Sequence, residues 1–196
     1  MEVIVINGEP RAELGKKGTK AVRNESSIPC VLYGPGVSEH FSTEITNVRH
    51  LIYTPDFKVA EVKLNGQSHR CIVKDVQYHP VSEKIMHIDF LRLTEGHTVK
   101  VEVPLRLTGT SVGVKNGGKM QQKMRRVKIK TTPDALITEL LLDVTNLNMG
   151  QSLRVRDINP PQNVEIMNAP GTPVATIEIP RALRSAAAAA EKTGKK

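Results

Sequence analysis

Tryptophan is absent from this 196-residue chain, and it holds only three tyrosines and three phenylalanines. Reading unpaired nucleotides by stacking needs exposed aromatic rings, and this chain has few to offer. Cysteine is nearly absent too. Cys30 and Cys71 each lie in an apolar run, with no CxxC pair and no zinc-ligand spacing. That excludes a disulfide framework and a thiolate metal site, and it fits two small core residues in a reducing compartment. No segment approaches the ~18 consecutive apolar residues of a membrane span. The opening MEVIVINGEP has an acid at its second position and too short an apolar run for a secretory signal. A cytoplasmic protein with no membrane partner is expected. No glycine-rich phosphate loop follows a strand, which argues against a phosphoester hydrolase.

What is present is charge. Hydrophobic content of 39% and charged content of 24% describe a globular chain, and 196 residues suffice for two domains. The formal charge of +8 suggests an anionic partner, but it is unevenly placed. Residues 1–96 hold 12 Lys/Arg and 12 Asp/Glu, whereas residues 97–196 hold 16 and 8. The first half is neutral overall, so its chemistry rests on local clusters.

Along the chain, Glu2–Ile6 alternates as a short strand and is followed by a loop broken by Gly8, Gly15 and Gly18. Thr19 can cap a short helix running from Lys20 to about Glu25. Five basic residues, Arg11, Lys16, Lys17, Lys20 and Arg23, stand here against one acid, Glu13. A solvated loop would look like this, and so would a phosphate site, where basic side chains join the free amides of a helix N-terminus. Strands are expected at 28–33, 41–45, 58–64 and 67–74, with a helix over 46–53 and a hairpin turn at Asn65-Gly66. TEGHT, residues 94–98, reads as a linker. Beyond it, strands are expected at 99–107, 126–131, 137–144, 164–167 and 174–179, which suits a sandwich or small barrel. The segment 115–130 carries seven basic residues, Lys115, Lys119, Lys123, Arg125, Arg126, Lys128 and Lys130, and no acid. It is either a solvated hairpin arm or a second, non-specific nucleic-acid contact. The end, RALRSAAAAAEKTGKK, has alanine helicity but no apolar stripe and reads as a flexible basic tail.

The most informative stretch is KDVQYHPVSEKIMHIDFLRL, Lys74 to Leu93. If Ile85–Leu93 is a strand, Met86, Ile88 and Phe90 share an apolar face. His87 and Asp89 then share the other face, about 7 Å apart at strand rise. Gln77, Tyr78, His79 and Pro80 make a polar turn stiffened by the proline. Each polar residue alone could be a solvated surface residue. Together, His79, His87 and Asp89 could also ligate a metal in a phosphoester hydrolase. That alternative lacks a second carboxylate to complete the site, and His-x7-His-x-Asp is not a metal signature. A stress-related protein-binding adaptor is a further alternative, acting through the second domain.

Two blocks narrow the choice. Asp75-Val76-Gln77-x-His79-Pro80 followed by His87-Ile88-Asp89-Phe90-x-Arg92 resembles the bacterial large-subunit ribosomal protein family that binds 5S rRNA, ribosomal protein twenty-five. Its longer members are also called general stress protein CTC. Arg11-x-Glu13-x-Gly15-Lys16, then Arg23, then Pro29-x-x-x-Tyr33-Gly34 is similar to a second block of that family, in the expected order. One departure is visible: many members have two adjacent arginines where this chain has Lys20 and Ala21. The resemblance implies a mainly β protein: an N-terminal β-barrel domain with two short helices over 1–94, a second β domain over 98–180, and the tail over 181–196. It implies a structural constituent of the large ribosomal subunit, with no catalysis, no cofactor and no metal. The implied partner is the loop E region of 5S rRNA. The RNA-binding residues would be Arg11, Lys16, Lys17, Thr19, Lys20, Arg23, Tyr33, Lys74, Gln77, His87 and Asp89. A carboxylate is acceptor-only and repels phosphate, so Asp89 would accept from a base, most simply a guanine amino group in a minor groove.

Overall fold

The computed structural model describes residues 2–181, so the expected tail lies outside the described residues apart from Arg181. The described residues form two compact units: 2–101 with 130–138, and 102–129 with 139–181.

The first unit is built on a seven-stranded sheet. Its strands are β1 (Val3–Asn7), β2 (Glu9–Pro10), β3 (Ser27–Gly34), β4 (Val37–Glu44), β5 (Val59–Leu64), β6 (Gln67–Tyr78) and β7 (Ile85–Arg92), in the spatial order β1-β5-β6-β7-β3-β4-β2. The two outer strands, β1 and β2, are consecutive parts of one segment bent at Gly8. The sheet therefore curls round on itself as a small barrel, and hydrogen bonds continue across the bend, from Gly8 N–H to the Lys63 carbonyl. A barrel of this kind removes exposed sheet edges. The turn between β5 and β6 places both Asn65 (φ 50°) and Gly66 (φ 79°) in the left-handed region, as a two-residue hairpin requires. Helix α1 (Lys16–Asn24) precedes β3, and α2 (Ile45–Ile52) follows β4 and buries Val48 and Leu51.

Alternation along the strands fills the interior. Ile6, Leu32, Phe41, Val62, Ile88 and Phe90 are fully buried, and the rings of Phe41 and Phe90 meet at 5.7 Å between centroids. Each such side chain contributes about 1.5–3 kcal/mol relative to exposure. Cys30 and Cys71 belong to the same core. Burial pushes both thiols up, Cys71 to about 12 and Cys30 further, so both stay protonated and unreactive. Gly8 is held by this core: a Cβ there would stand 2.6 Å from Leu64 Cδ2 and 2.6 Å from Phe41 Cδ2. Gly8→Ala is expected to destabilise the fold by about 1–3 kcal/mol through overpacking. A urea melt with an unshifted midpoint would show that the bend tolerates a side chain.

The rest of the described chain forms two smaller curled sheets. Strands β8 (Val99–Thr108), β10 (Arg126–Thr131), β11 (Leu140–Asp143) and β13 (Val164–Ile166) join in the order β11-β8-β10-β13. Strands β9 (Lys119–Gln122), β12 (Ser152–Arg154) and β14 (Pro173–Glu178) join in the order β12-β14-β9. A one-turn helix α3 (Val112–Lys115) is capped by the Ser111 hydroxyl, which accepts from Val114 N–H. Val103, Val127, Ile129, Val174 and Ile177 are buried among these strands. The expected all-β class holds, with β9, β12 and α3 as additions that the pattern did not reveal. TEGHT forms a turn, with His97 N–H donating to the Thr94 carbonyl.

Candidate nucleic-acid interface

The helix expected at Lys20 begins earlier. α1 starts at Lys16 with Gly15 as its N-cap, at φ 92°, where a side chain would be strained. Thr19 lies inside the helix, and its hydroxyl donates to the Gly15 carbonyl at 2.6 Å, so it caps nothing. Gly18, expected as a breaker, is a contact residue instead: a Cβ there would stand 2.6 Å from the Glu13 carbonyl oxygen. Its absence lets the helix settle on the loop that Arg11 braces, through Arg11 N–H to the His40 carbonyl and Nη2 to the Glu13 carbonyl.

Lys16, Lys17 and Lys20 are exposed, and at helical spacing they share an arc of roughly 100°. The first turn contains no acid, so two lysines stand at the positive end of the helix. Cations there oppose the helix dipole, and an anion bound alongside relieves the conflict. Ala21, beside Lys20, is also exposed.

β7 with its neighbours β6 and β3 forms the second half of the site. Ile88 and Phe90 point into the core as expected, while Met86 is only half-buried because the β6–β7 register slips beside it. His87 and Asp89 do face away from the core, and they are not independent. His87 Nδ1 lies 2.6 Å from Asp89 Oδ1, with the two side chains 24% and 28% exposed. A carboxylate only accepts, so the ring donates from Nδ1. Asp89 keeps Oδ2 for a further donor. Across the ladder Gln77 stands opposite His87 and is exposed, and in the parallel ladder Val31 stands opposite Asp89.

A slip at Lys74 changes the face further. Val73 pairs with Phe90 and Asp75 with Asp89, so Lys74 is the extra residue of a bulge. Lys74 is exposed, and its ammonium donates to the Lys100 carbonyl at 3.1 Å. Asp75 lies on the same side as Asp89, two carboxylates directly opposed. It stands two residues before Gln77 with no slip between them, so alternation sets both on one side. Asp75 is absent from the expected site residues, although it opens the Asp-Val-Gln block. Tyr33 joins them: burial first, then Asp89 and Asp75, push its phenol up, so its O–H remains a donor.

Arg23 sits differently from the lysines. Its Nε and Nη2 both donate to the Met86 carbonyl, at 3.2 and 2.9 Å. His79 is engaged too, since its Nδ1 accepts from the backbone N–H of Val81 and Ser82 and closes the β6–β7 turn. Among the described residues no group of three His, Cys, Asp or Glu is placed to hold a metal ion. No described helix is long and apolar enough to cross a membrane. The basic segment 115–130 is broken into α3, β9 and β10, and acids from elsewhere meet it. Lys128 Nζ lies 3.5 Å from Glu102 Oε1, and Lys119 pairs in register with Glu178.

The first unit is thus a small barrel with a lysine helix and a polar strand face, and a second all-β part follows it in sequence. The family model described as Ribosomal L25p matches residues 6–90, and that of ribosomal protein TL5, C-terminal domain, matches residues 98–181. The large ribosomal subunit protein bL25 of Cytophaga hutchinsonii is 40% identical over 192 residues, spanning 98% of this chain and 100% of the relative. That of Amoebophilus asiaticus is 39% identical over 196 residues, spanning 100% of both. That of Porphyromonas gingivalis is 40% identical over 189 residues, spanning 95% of this chain and 98% of the relative. The chain belongs to the Ribosomal L25p family, in its long, two-part form. It is a ribosomal structural protein and not an enzyme.

Proposed function

We propose that this chain binds 5S rRNA within the large ribosomal subunit, in the cytoplasm, and that residues 1–94 form the binding domain. The observation that carries the reading is the hydrogen-bonded His87–Asp89 pair facing away from the core beside Asp75, Gln77 and Tyr33. Carboxylates at the centre of the face disfavour phosphates there and favour base amino groups. Lysines on α1 favour phosphates at its margin. This is the arrangement for a wide minor groove, such as the loop E region, whose base edges and 2′-hydroxyls are accessible to side chains. Arg11, Lys16, Lys17, Lys20 and the α1 N-terminus hold phosphates and set register. Lys74, Gln77, Tyr33, His87 and Asp89 read the groove. Thr19 serves by shaping the first turn of the helix.

The test is binding of the full chain to purified 5S rRNA across a salt series, with Lys16→Ala beside it. Lys16→Ala is expected to flatten the slope of log K against log salt by somewhat less than about one unit, and to weaken specific and unrelated duplex RNA alike. A wild-type chain with no preference for 5S rRNA would end the proposal. An unchanged slope for the variant would remove Lys16 from the phosphate contacts.

A further inference from the structure

One side chain links α1 directly to β7. The β6–β7 ladder pairs Gln77 with His87 and then Tyr78 with Ile85, while the β3–β7 ladder begins only at Ile88. Met86 is therefore the extra residue of a bulge and has no partner in either ladder. A carbonyl left over in this way needs a donor, and burying it unpaired is costly. Arg23 supplies two, Nε at 3.2 Å and Nη2 at 2.9 Å, from the last turn of α1. The guanidinium thus ties the helix bearing Lys16, Lys17 and Lys20 to the residue immediately before His87.

We propose that Arg23 is a positioning residue for RNA recognition: its fork on the Met86 carbonyl sets the lysine array of α1 in register with the reading pair His87–Asp89. This rests on the function proposed above. Phosphates and base edges in one groove have a fixed spacing, so affinity for the right RNA requires both sets of contacts at once. A helix that rocks on β3 still offers positive charge to any RNA, but it no longer offers it at the spacing of one groove. Lysine cannot replace this arginine, because a single ammonium on a flexible stem lacks the planar pair of N–H donors that fixes the angle.

Arg23→Lys keeps the charge and removes the fork, and Arg23→Gln removes the charge. Each is compared with wild type on 5S rRNA and on an unrelated duplex, alone and combined with Lys16→Ala, after a thermal melt. Wild type must first prefer 5S rRNA; if it does not, the function proposed above and this inference both fall. Given that preference, Arg23→Lys is expected to lose about five- to hundredfold in affinity for 5S rRNA, the scale of one base-edge contact. Its affinity for the unrelated duplex and its salt slope there should stay at wild-type values. In the Arg23→Lys background, Lys16→Ala should cost clearly less on 5S rRNA than it does in wild type, because the lysine is already out of register. Two results would overturn the inference while leaving the RNA-binding reading intact. One is wild-type affinity and specificity in Arg23→Lys. The other is an Arg23→Gln variant that loses about one unit of salt slope on both RNAs and adds fully to Lys16→Ala, which is the behaviour of a plain phosphate contact. Should Arg23→Gln fail to fold, Arg23→Lys and its double variant decide the matter.

Discussion

Asp89→Ala is expected to lower affinity for 5S rRNA by about 1–3 kcal/mol while leaving affinity for unrelated duplex RNA level or slightly higher. The asymmetry follows from what a carboxylate does. It repels phosphate, so removing it cannot weaken non-specific attraction, and the salt slope should hardly move. What it offers is acceptance, and Oδ2 remains for a donor in the groove because Oδ1 is engaged by His87 at 2.6 Å. The same contact adds a second expectation. Loss of Asp89 releases the ring of His87, which then has no fixed orientation. His87→Ala and Asp89→Ala should therefore be strongly non-additive, the double variant costing little more than the worse single one. Asp89→Asn separates the two roles, since its amide oxygen can still accept but cannot carry charge. The apolar face of Ile88 and Phe90 is untouched, so melting temperature should be retained. Equal loss on specific and unrelated RNA by a folded Asp89→Ala chain would mean that Asp89 does not read a base.

Much of this site was legible because strand periodicity is rigid. Once 85–92 is a strand, His87 and Asp89 must face one way and Ile88 and Phe90 the other. The Asn65-Gly66 turn was legible for a similar reason, since few residue pairs tolerate two positive φ angles. What escaped were breaks in periodicity. The bulge at Lys74 took that residue out of the ladder, and the slip beside Met86 opened a carbonyl for Arg23. Nothing in local composition marks a bulge, because it is settled by how two ladders fit together. The glycines misled in a different way. Gly15 and Gly18 read as loop, yet one starts α1 and the other lets it pack within reach of a carbonyl that only the fold brings close. The basic run 115–130 looked uncompensated because its acids, Glu102 and Glu178, are distant in sequence.

Residues 1–96 alone are expected to bind 5S rRNA with most of the affinity of the full chain, and residues 97–196 to bind it no better than unrelated RNA. Charge argues the other way, which makes the test sharp. The first half balances 12 basic with 12 acidic residues, and the second has 16 against 8. If attraction to phosphate alone governed binding, the second half would bind more tightly, with a steep salt slope and no preference among RNAs. The neutral half should prevail because its few cations are arranged: three lysines on one arc of α1, beside the His87–Asp89 pair on β7. In the second half several cations already face acids, as Lys128 faces Glu102, and exposed pairs of that kind leave a weaker field for a polyanion. Folding must be checked first, since residues 130–138 group with the first compact unit and a fragment ending at 96 lacks them. A fragment of 1–96 that melts cooperatively yet binds only when 97–196 is restored would assign the reading of 5S rRNA to the second half. The face built by Gln77, His87 and Asp89 would then need another ligand.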